Sequence, residues 1–137
     1  VERYQLPCGS DLLFDGKPPY HTEIAEGYAL TQELLKSERR FTAVICLNDL
    51  MAMGAISALQ EAGLRVPEDV SVIGFDGTSL AEYYNPKLAT IKQQHQTLAN
   101  RSIEILFGQI ELKKEPIHEI VPFEFVNGES IRVIDER

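Results

Sequence analysis

The chain has 137 residues, a hydrophobic fraction of 44%, a charged fraction of 25% and a formal net charge of -8 at pH 7. This length is enough for one domain with a buried core, and the composition excludes a disordered or membrane-spanning chain. An acidic surface repels phosphate backbones, so these residues alone are not expected to bind nucleic acid. No apolar run approaches the roughly 20 residues of a membrane helix, and the first residues do not resemble a signal peptide, which predicts a soluble, cytoplasmic protein.

The cysteine and histidine positions give no sign of a disulfide or a metal site. Cys8 and Cys46 have no motif spacing, and Cys46 lies within an apolar run where a reduced thiol packs well. His21, His95 and His118 lack the short spacings that bring zinc ligands together. We therefore expect neither a structural disulfide nor a bound metal or cofactor.

The first part of the chain contains one clear helical pattern. A short strand is predicted at 3–7, before a loop rich in Gly, Asp and Pro. Apolar residues from Ile24 to Leu35 recur at helical spacing. This spacing predicts a helix over 23–36, with Thr22 as its N-cap.

The middle of the chain contains three apolar runs, at 43–47, 70–75 and 88–91. Such runs are typical of strands buried on both faces of a parallel sheet. Between the first two runs, a helix is predicted over 50–62. Gly63 is expected to close this helix in the left-handed conformation that favours glycine.

The last part of the chain predicts one more helix and an edge hairpin. Alternating apolar residues from Ile117 to Phe125, the turn signal Asn127-Gly128 and further alternation at Ile131 and Val133 predict an antiparallel hairpin or edge-strand pair. The whole pattern predicts an α/β fold in which a mostly parallel sheet is flanked by helices and carries this hairpin at one edge. The helix predicted before this hairpin is amphipathic, because its apolar residues recur at helical spacing: Ala99, Ile103, Leu106, Phe107 and Ile110.

Polar side chains follow the predicted parallel strands where each strand ends. Asn48 and Asp49 follow the first strand, Asp76 follows the second, and Gln93 and His95 follow the third. Ligands of open α/β sheets bind beyond these strand ends. A carboxylate beside an amide can hold a pair of hydroxyl groups, because the first accepts hydrogen bonds and the second both donates and accepts them.

Several of these residues also have a purely structural interpretation. Asn and Asp are the favoured N-cap residues, and the cap of the helix that starts at Leu50 is assigned to Asp49. Asp76 could equally belong to the turn after its strand. His95 could be a packed surface histidine.

The motifs of several enzyme classes are absent from the sequence. It contains no G-x-S-x-G, no G-x-x-x-x-G-K-[ST] and no G-x-G-x-x-G string. Asp49, Asp76 and Lys92 loosely imitate the phosphoacceptor site of a receiver domain, but the early acidic pair of such a domain is missing. We therefore predict a binding protein and not an enzyme.

The stretch from Thr42 to Gln93 resembles the effector-binding core of the LacI/GalR family of bacterial transcriptional regulators. The matching features are the Asn48-Asp49 pair, the string "GLRVPEDVSVIGFD" and a P-x-L-x-T pattern that begins at Pro86. Weaker similarity extends to the segments "EIAEGYALTQELL", "LANRSIEILFGQI" and "IVPFEFVNGES", so the resemblance covers most of the chain.

The resemblance implies a periplasmic-binding-protein-like fold of two α/β subdomains that close on a small ligand, usually a sugar or related metabolite. Asn48 and Asp76 match the family positions that hydrogen-bond the effector, and Thr22, Gln93 and His95 fall near positions that line the cleft. The helix after Asp49 and the turn near 83–84 match the surface through which these regulators form dimers. The residues that we assign to this homodimer surface are Met51, Met53, Tyr83 and Tyr84.

The resemblance also implies that residues 1–137 are the C-terminal portion of a ligand-sensing domain. The DNA-binding headpiece and the N-terminal subdomain of such regulators have no counterpart in this chain. The segment 94–112 is then expected to pack on that N-terminal subdomain, and operator DNA is contacted only through the headpiece. The favoured function is effector sensing by a LacI-type repressor, and the alternative is the sugar-binding component of a transport system with the same fold.

Overall fold

The structure is a computed structural model, and the residues that it describes are 13–16, 18, 21–37, 39–112 and 117–133. The strand predicted at 3–7 and the thiol of Cys8 lie outside the described residues.

The first helix, α1, spans Ile24–Lys36, close to its predicted bounds. Its N-cap is Glu23, whose side chain makes no capping hydrogen bond, so the assignment of the cap to Thr22 is wrong. The carbonyl oxygen of Thr22 instead accepts a hydrogen bond of 2.8 Å from the side-chain amide of Asn48. At the other end, Ser37 donates a side-chain hydrogen bond of 2.6 Å to the carbonyl of Leu34.

Within the part of the chain that the structure describes, the sheet contains four strands in the order β1-β2-β3-β4. β1, β2 and β3 are parallel neighbours, as the apolar runs predicted, because each is joined to the next by a helical crossover. The strand bounds are Ala43–Ile45 for β1, Ser71–Asp76 for β2, Ala89–Gln93 for β3 and Phe123–Val126 for β4.

The antiparallel edge exists, but the predicted hairpin is wrong. β4 pairs with β3, so that Gln93 lies opposite Phe123, and no strand follows β4 within the described residues up to Val133. The chain after β4 is bonded to earlier segments instead: the amide of Ser130 donates to the carbonyl of Lys87 at 3.0 Å. Asn127-Gly128 therefore ends an edge strand and does not connect two paired strands.

Three further helices complete the described fold: α2 at Asp49–Glu61, α3 at Leu80–Tyr83 and α4 at His95–Leu112. The left-handed end of α2 is confirmed, since Gly63 has φ +80°. The amide of Gly63 donates to the carbonyl of Gln60, and that of Leu64 donates to the carbonyl of Leu59, each at 3.0 Å. These two bonds satisfy carbonyls that the helix end would otherwise leave without donors.

Helices α1 and α2 cross at two glycines, which let the two backbones touch. A Cβ on Gly54 would lie 2.7 Å from the amide nitrogen of Tyr28, and a Cβ on Gly27 would lie 2.6 Å from the Cα of Met51. Real Cβ atoms do not occupy such short distances. The crossing therefore requires glycine at both positions.

The core lies between α2 and one face of the sheet, whereas the other face is exposed. Ile45, Phe75, Phe123 and Phe125 lie on this second face, and Ile45 is 80% exposed. Among the described residues, no helix is long and apolar enough to cross a membrane. The fully buried core residues include Ala52, Ile56, Leu59, Val72 and Leu88.

Candidate functional site

The strand ends that were predicted to hold ligand residues lie next to one another. Ile45 of β1 pairs with Ile73 of β2, and Asn48 and Asp76 each lie three residues beyond their member of that pair. Both residues are half-buried at the same edge of the sheet. The register therefore places the acid and the amide at the same end of two adjacent strands, with Asp76 on β2 and Asn48 in the turn after β1.

Asp76 is held in an unusual conformation by its neighbours. It is the last residue of β2 and has φ +107°, the left-handed side of conformational space that residues with a Cβ rarely adopt. Its Oδ1 atom accepts a hydrogen bond of 2.7 Å from the side-chain amide of Gln93, the last residue of β3. Since such backbone strain is concentrated at ligand-binding sites, this outlier marks Asp76 as a candidate functional residue.

The N-cap of α2 is Asn48, so the assignment of the cap to Asp49 is wrong. The Oδ1 atom of Asn48 accepts a hydrogen bond of 2.8 Å from the amide of Met51, while its side-chain amide donates to Thr22. Asn48 can serve both α1 and α2 in this way because its amide group donates and accepts. One N–H and one lone pair of Asn48 remain for a ligand.

Asp49 is fully buried below this edge of the sheet. Its Oδ2 atom accepts from the amide and the hydroxyl of Thr78 at 2.7 and 2.9 Å, and its Oδ1 atom accepts from the hydroxyl of Thr90 at 2.5 Å. This cluster was not predicted from the sequence. The signal that could have found it is Gly74 in the middle of an apolar strand, because glycine there often marks a close approach of another group. A Cβ on Gly74 would collide with the Asp49 carboxylate.

The remaining predicted ligand residues are less tightly organised. Thr22 is exposed, and the described contact that ties it to this edge is the one from its carbonyl oxygen to Asn48. His95 is the first residue of α4 and is also exposed, two residues after Gln93. The structure thus links Asp76 with Gln93 and Thr22 with Asn48, and it links His95 to neither pair by a described hydrogen bond.

Two further groups have shifted pKa values but are not candidate ligand residues. Burial raises the pKa of the Cys46 thiol to about 12, which keeps it protonated at neutral pH. Hydrogen bonds from the Arg65 side chain hold the pKa of the Asp69 carboxyl well below its usual range, in the loop between α2 and β2. Within the described ranges, no group of three His, Cys, Asp or Glu side chains is arranged to hold a metal ion.

The four residues assigned to a dimer surface differ in exposure. Tyr83 is 83% exposed, whereas Met53 is 3% exposed and belongs to the interior of this chain. The hydroxyl of Tyr84 contacts the carbonyl of Met53 and the hydroxyl of Ser57, each at 2.9 Å. Met51 is half-buried. The Met53 side chain is therefore too deeply buried to form a contact surface, and Tyr83 is the most exposed of the four.

Comparisons with known proteins agree with this architecture. Residues 12–131 match the family model described as "Periplasmic binding protein-like domain". The chain is 42% identical over 125 residues to the HTH-type transcriptional regulator MalR of Clostridium butyricum, a match that covers 91% of this chain and 36% of that protein.

Two solved structures show the same fold. A LacI-type transcription regulator from Bifidobacterium animalis subsp. lactis has a TM-score of 0.82 and 32% identity, covering 96% of this chain and 46% of that one. The Lac repressor bound to ONPG in the repressed state has a TM-score of 0.74 and 32% identity, covering 80% of this chain and 33% of that one.

The fold and these matches define the class of the molecule as a periplasmic binding protein-like ligand-binding domain. Within that class, the chain belongs to the effector-binding domains of the LacI/GalR family of transcriptional regulators. It spans between a third and a half of the length of the proteins reported above.

Proposed function

We propose that this chain senses a small, sugar-like effector for a DNA-binding repressor of the LacI type. The observation that carries the proposal is the pair formed by Asp76 and Gln93, which lies at the same carboxyl edge of the parallel strands as the turn that holds Asn48. This edge is where open α/β sheets bind their ligands. The Lac repressor bound to ONPG, which shares the fold, supports a small-molecule ligand in this class.

The hydrogen-bonding capacity left at this edge suits a polyhydroxylated ligand. One oxygen of the Asp76 carboxylate accepts the hydrogen bond from the Gln93 amide, so the other oxygen can accept from ligand hydroxyls. The amide oxygen of Gln93 and the second N–H of Asn48 add one acceptor and one donor. We assign Thr22 and His95 to the rim of the same site, where their exposure leaves them accessible.

The proposed mechanism is a shift between two arrangements of the regulator, without covalent chemistry. An effector that binds one closure of two subdomains more tightly than the other shifts their populations, and this shift changes affinity for operator DNA. Operator DNA would be contacted through a headpiece that is not part of these residues, in the cytoplasm. The names of the matched relatives favour a regulator over a sugar-transport component.

The Asp76→Asn substitution tests the ligand site. Asn tolerates positive φ and keeps an oxygen for Gln93, so the backbone should be retained while the charge is lost. A hydrogen bond to a charged group contributes about 1.5–3 kcal/mol, so the Kd for the effector should rise roughly 10- to 150-fold. A melting-temperature screen of the full-length protein against ribose, lactose, cellobiose and nucleosides identifies the ligand. Calorimetry then measures the Kd of this ligand for the unmodified protein and for Asp76→Asn.

The matched control for this experiment is Glu68→Gln, which removes one exposed negative charge in the loop between α2 and β2. This control should bind the effector with unchanged affinity. If Asp76→Asn also binds normally, Asp76 is not a ligand contact. Selection of genomic DNA fragments by the full-length protein, with and without the identified ligand, tests the regulatory half of the proposal.

We assign the surface around Tyr83 to a homodimer contact, because this large side chain, at the end of α3, is 83% exposed. Tyrosine is enriched among interface hot spots, where truncation costs about 2 kcal/mol or more, and we expect Tyr83 to be one of them. The Tyr83→Asp substitution in the full-length protein should therefore raise the dimer dissociation constant at least about 30-fold, measured by sedimentation equilibrium. The control is Tyr83→Phe, which keeps the ring and should remain dimeric. An unchanged dimer in Tyr83→Asp would contradict this assignment.

The segment 94–112 is proposed to pack on a second subdomain of the full-length protein. Helix α4 supports this proposal, because its apolar side chains are substantially exposed in this chain although their spacing is that of a buried helix face. These side chains are Leu98, Ile103, Leu106, Phe107 and Ile110.

A further inference from the structure

The Asp49 carboxylate joins three separate elements of the fold. Asp49 is the first residue of α2 and is fully buried. Its two oxygens accept hydrogen bonds from Thr78, in the turn after β2, and from Thr90, inside β3. Burial of a carboxylate is unfavourable unless hydrogen bonds compensate for lost hydration, and here three donors do so. The positive end of the α2 dipole also favours a negative charge at this position.

Both partners of Asp49 belong to, or are hydrogen-bonded to, the turn that follows Asp76. Thr78 lies two residues after Asp76, and both its amide and its hydroxyl donate to Asp49. The hydroxyl of Thr90 donates to Asp49 and accepts from the amide of Gly77 at 3.3 Å. The residues immediately after Asp76 are therefore anchored to one buried carboxylate, directly or through Thr90.

The turn itself is conformationally strained. Asp76 has φ +107° and Gly77 has φ +72°, so two consecutive residues adopt positive φ. A Cβ on Gly77 would lie 2.6 Å from the Cα of Lys92, which shows how closely the turn approaches β3. A non-glycine residue with positive φ persists only when the surrounding structure holds it there. The hydrogen bonds described above provide such a constraint.

We infer that Asp49 is a positioning residue, which holds the turn 76–78 in its positive-φ conformation and so presents the Asp76 carboxylate at the ligand edge. This inference rests on the proposed function for its consequence on binding. Without the buried carboxylate, Thr78 and Gly77 lose their anchor, and Asp76 can relax to a negative φ that directs its side chain elsewhere.

The Asp49→Asn substitution in the full-length protein tests this inference. Asn has the same shape, but its NH₂ group replaces one oxygen and faces a donor from either Thr78 or Thr90. Hydrogen exchange at the amides of Gly77 and Thr78 should accelerate at least about tenfold relative to core amides. The Kd for the probe that binds among ribose, lactose and cellobiose should rise by a similar factor.

The matched control is Ser130→Ala. Ser130 is also fully buried, accepts from the amide of Ala89 at 2.9 Å and donates to the carbonyl of Val72 at 2.7 Å, but none of its described hydrogen bonds involves the turn. Ser130→Ala should lower the urea midpoint while turn exchange and probe affinity stay near their original values. If Asp49→Asn fails to fold, Thr78→Val removes one hydroxyl donor and should shift exchange and affinity in the same direction.

Two results would overturn the inference. The first is unchanged exchange at Gly77 and Thr78 in a folded Asp49→Asn protein. The second is an equal loss of probe affinity in Asp49→Asn and Ser130→Ala at matched stability, which would make Asp49 an ordinary core residue. If no probe binds the unmodified protein, the sugar-sensing proposal fails, and the exchange measurement still decides whether Asp49 holds the turn.

Discussion

Replacing Gly54 by alanine should destabilise the fold by about 2–3 kcal/mol, because the new methyl group would meet the backbone of α1. A Cβ at this position lies 2.7 Å from the amide nitrogen of Tyr28, so the two helices must separate. Overpacking typically costs about 1–3 kcal/mol and occasionally more, and we expect about 3–4 kcal/mol here because the methyl group meets backbone atoms, which cannot rotate aside as a side chain can. Alanine gains roughly 1 kcal/mol over glycine in a helix interior, which leaves a net loss of about 2–3 kcal/mol. Urea unfolding of the full-length protein measures the change.

The control for this prediction is Gly63→Ala. A Cβ on Gly63 meets no atom within 4 Å, so only the cost of its positive φ remains, about 1–2 kcal/mol. Gly54→Ala should therefore lower stability more than Gly63→Ala does. An increase in stability for Gly54→Ala would mean that α1 and α2 do not cross at backbone contact.

Replacing Ile56 by alanine should lower stability by about 2–5 kcal/mol. Ile56 is fully buried in the core between α2 and the sheet, so its truncation loses apolar burial and leaves a cavity. The denaturation midpoint of the full-length protein is the appropriate measurement. A loss below about 1 kcal/mol would mean that α2 does not supply the centre of this core.

Ile103 on α4 provides a matched comparison for Ile56. It is the same residue type but is 54% exposed in this chain, so Ile103→Ala should cost less than about 0.5 kcal/mol if the side chain stays in solvent. If α4 packs on a second subdomain, the same substitution should cost at least about 1.5 kcal/mol in the full-length protein. The smaller value would contradict the proposed packing of segment 94–112.

The parallel part of the fold could be predicted because apolar runs and helical periodicity are local signals. β2 and α2 were predicted within one residue of their observed bounds. The edge hairpin could not be predicted, because the partner of β4 is β3 and the pairing is set by hydrogen bonds between distant segments. The turn signal at Asn127-Gly128 is local and carries no information about Lys87, to which the chain after it is bonded.

The position of the candidate site was predicted, but the roles of its residues were not, because those roles are set by contacts between segments that are distant in the sequence. Chain order alone indicated that Asn48 and Asp76 follow adjacent parallel strands, and the register agrees with this. The assignment of roles to Asn48 and Asp49 failed because both residue types cap helices equally well. The choice was decided by Thr78 and Thr90, which surround Asp49 and are distant from it in the sequence.

Because Gln93 at the end of β3 pairs with Phe123 at the start of β4, the connection between these strands begins and ends at neighbouring points. Helix α4 lies within this connection. Closing a loop whose ends already meet costs little additional entropy as the loop grows, so this connection can gain or lose residues without disturbing the strands. A foreign module inserted in the sequence between α4 and β4 should therefore leave both the strands and the apolar side chains of α4 in place.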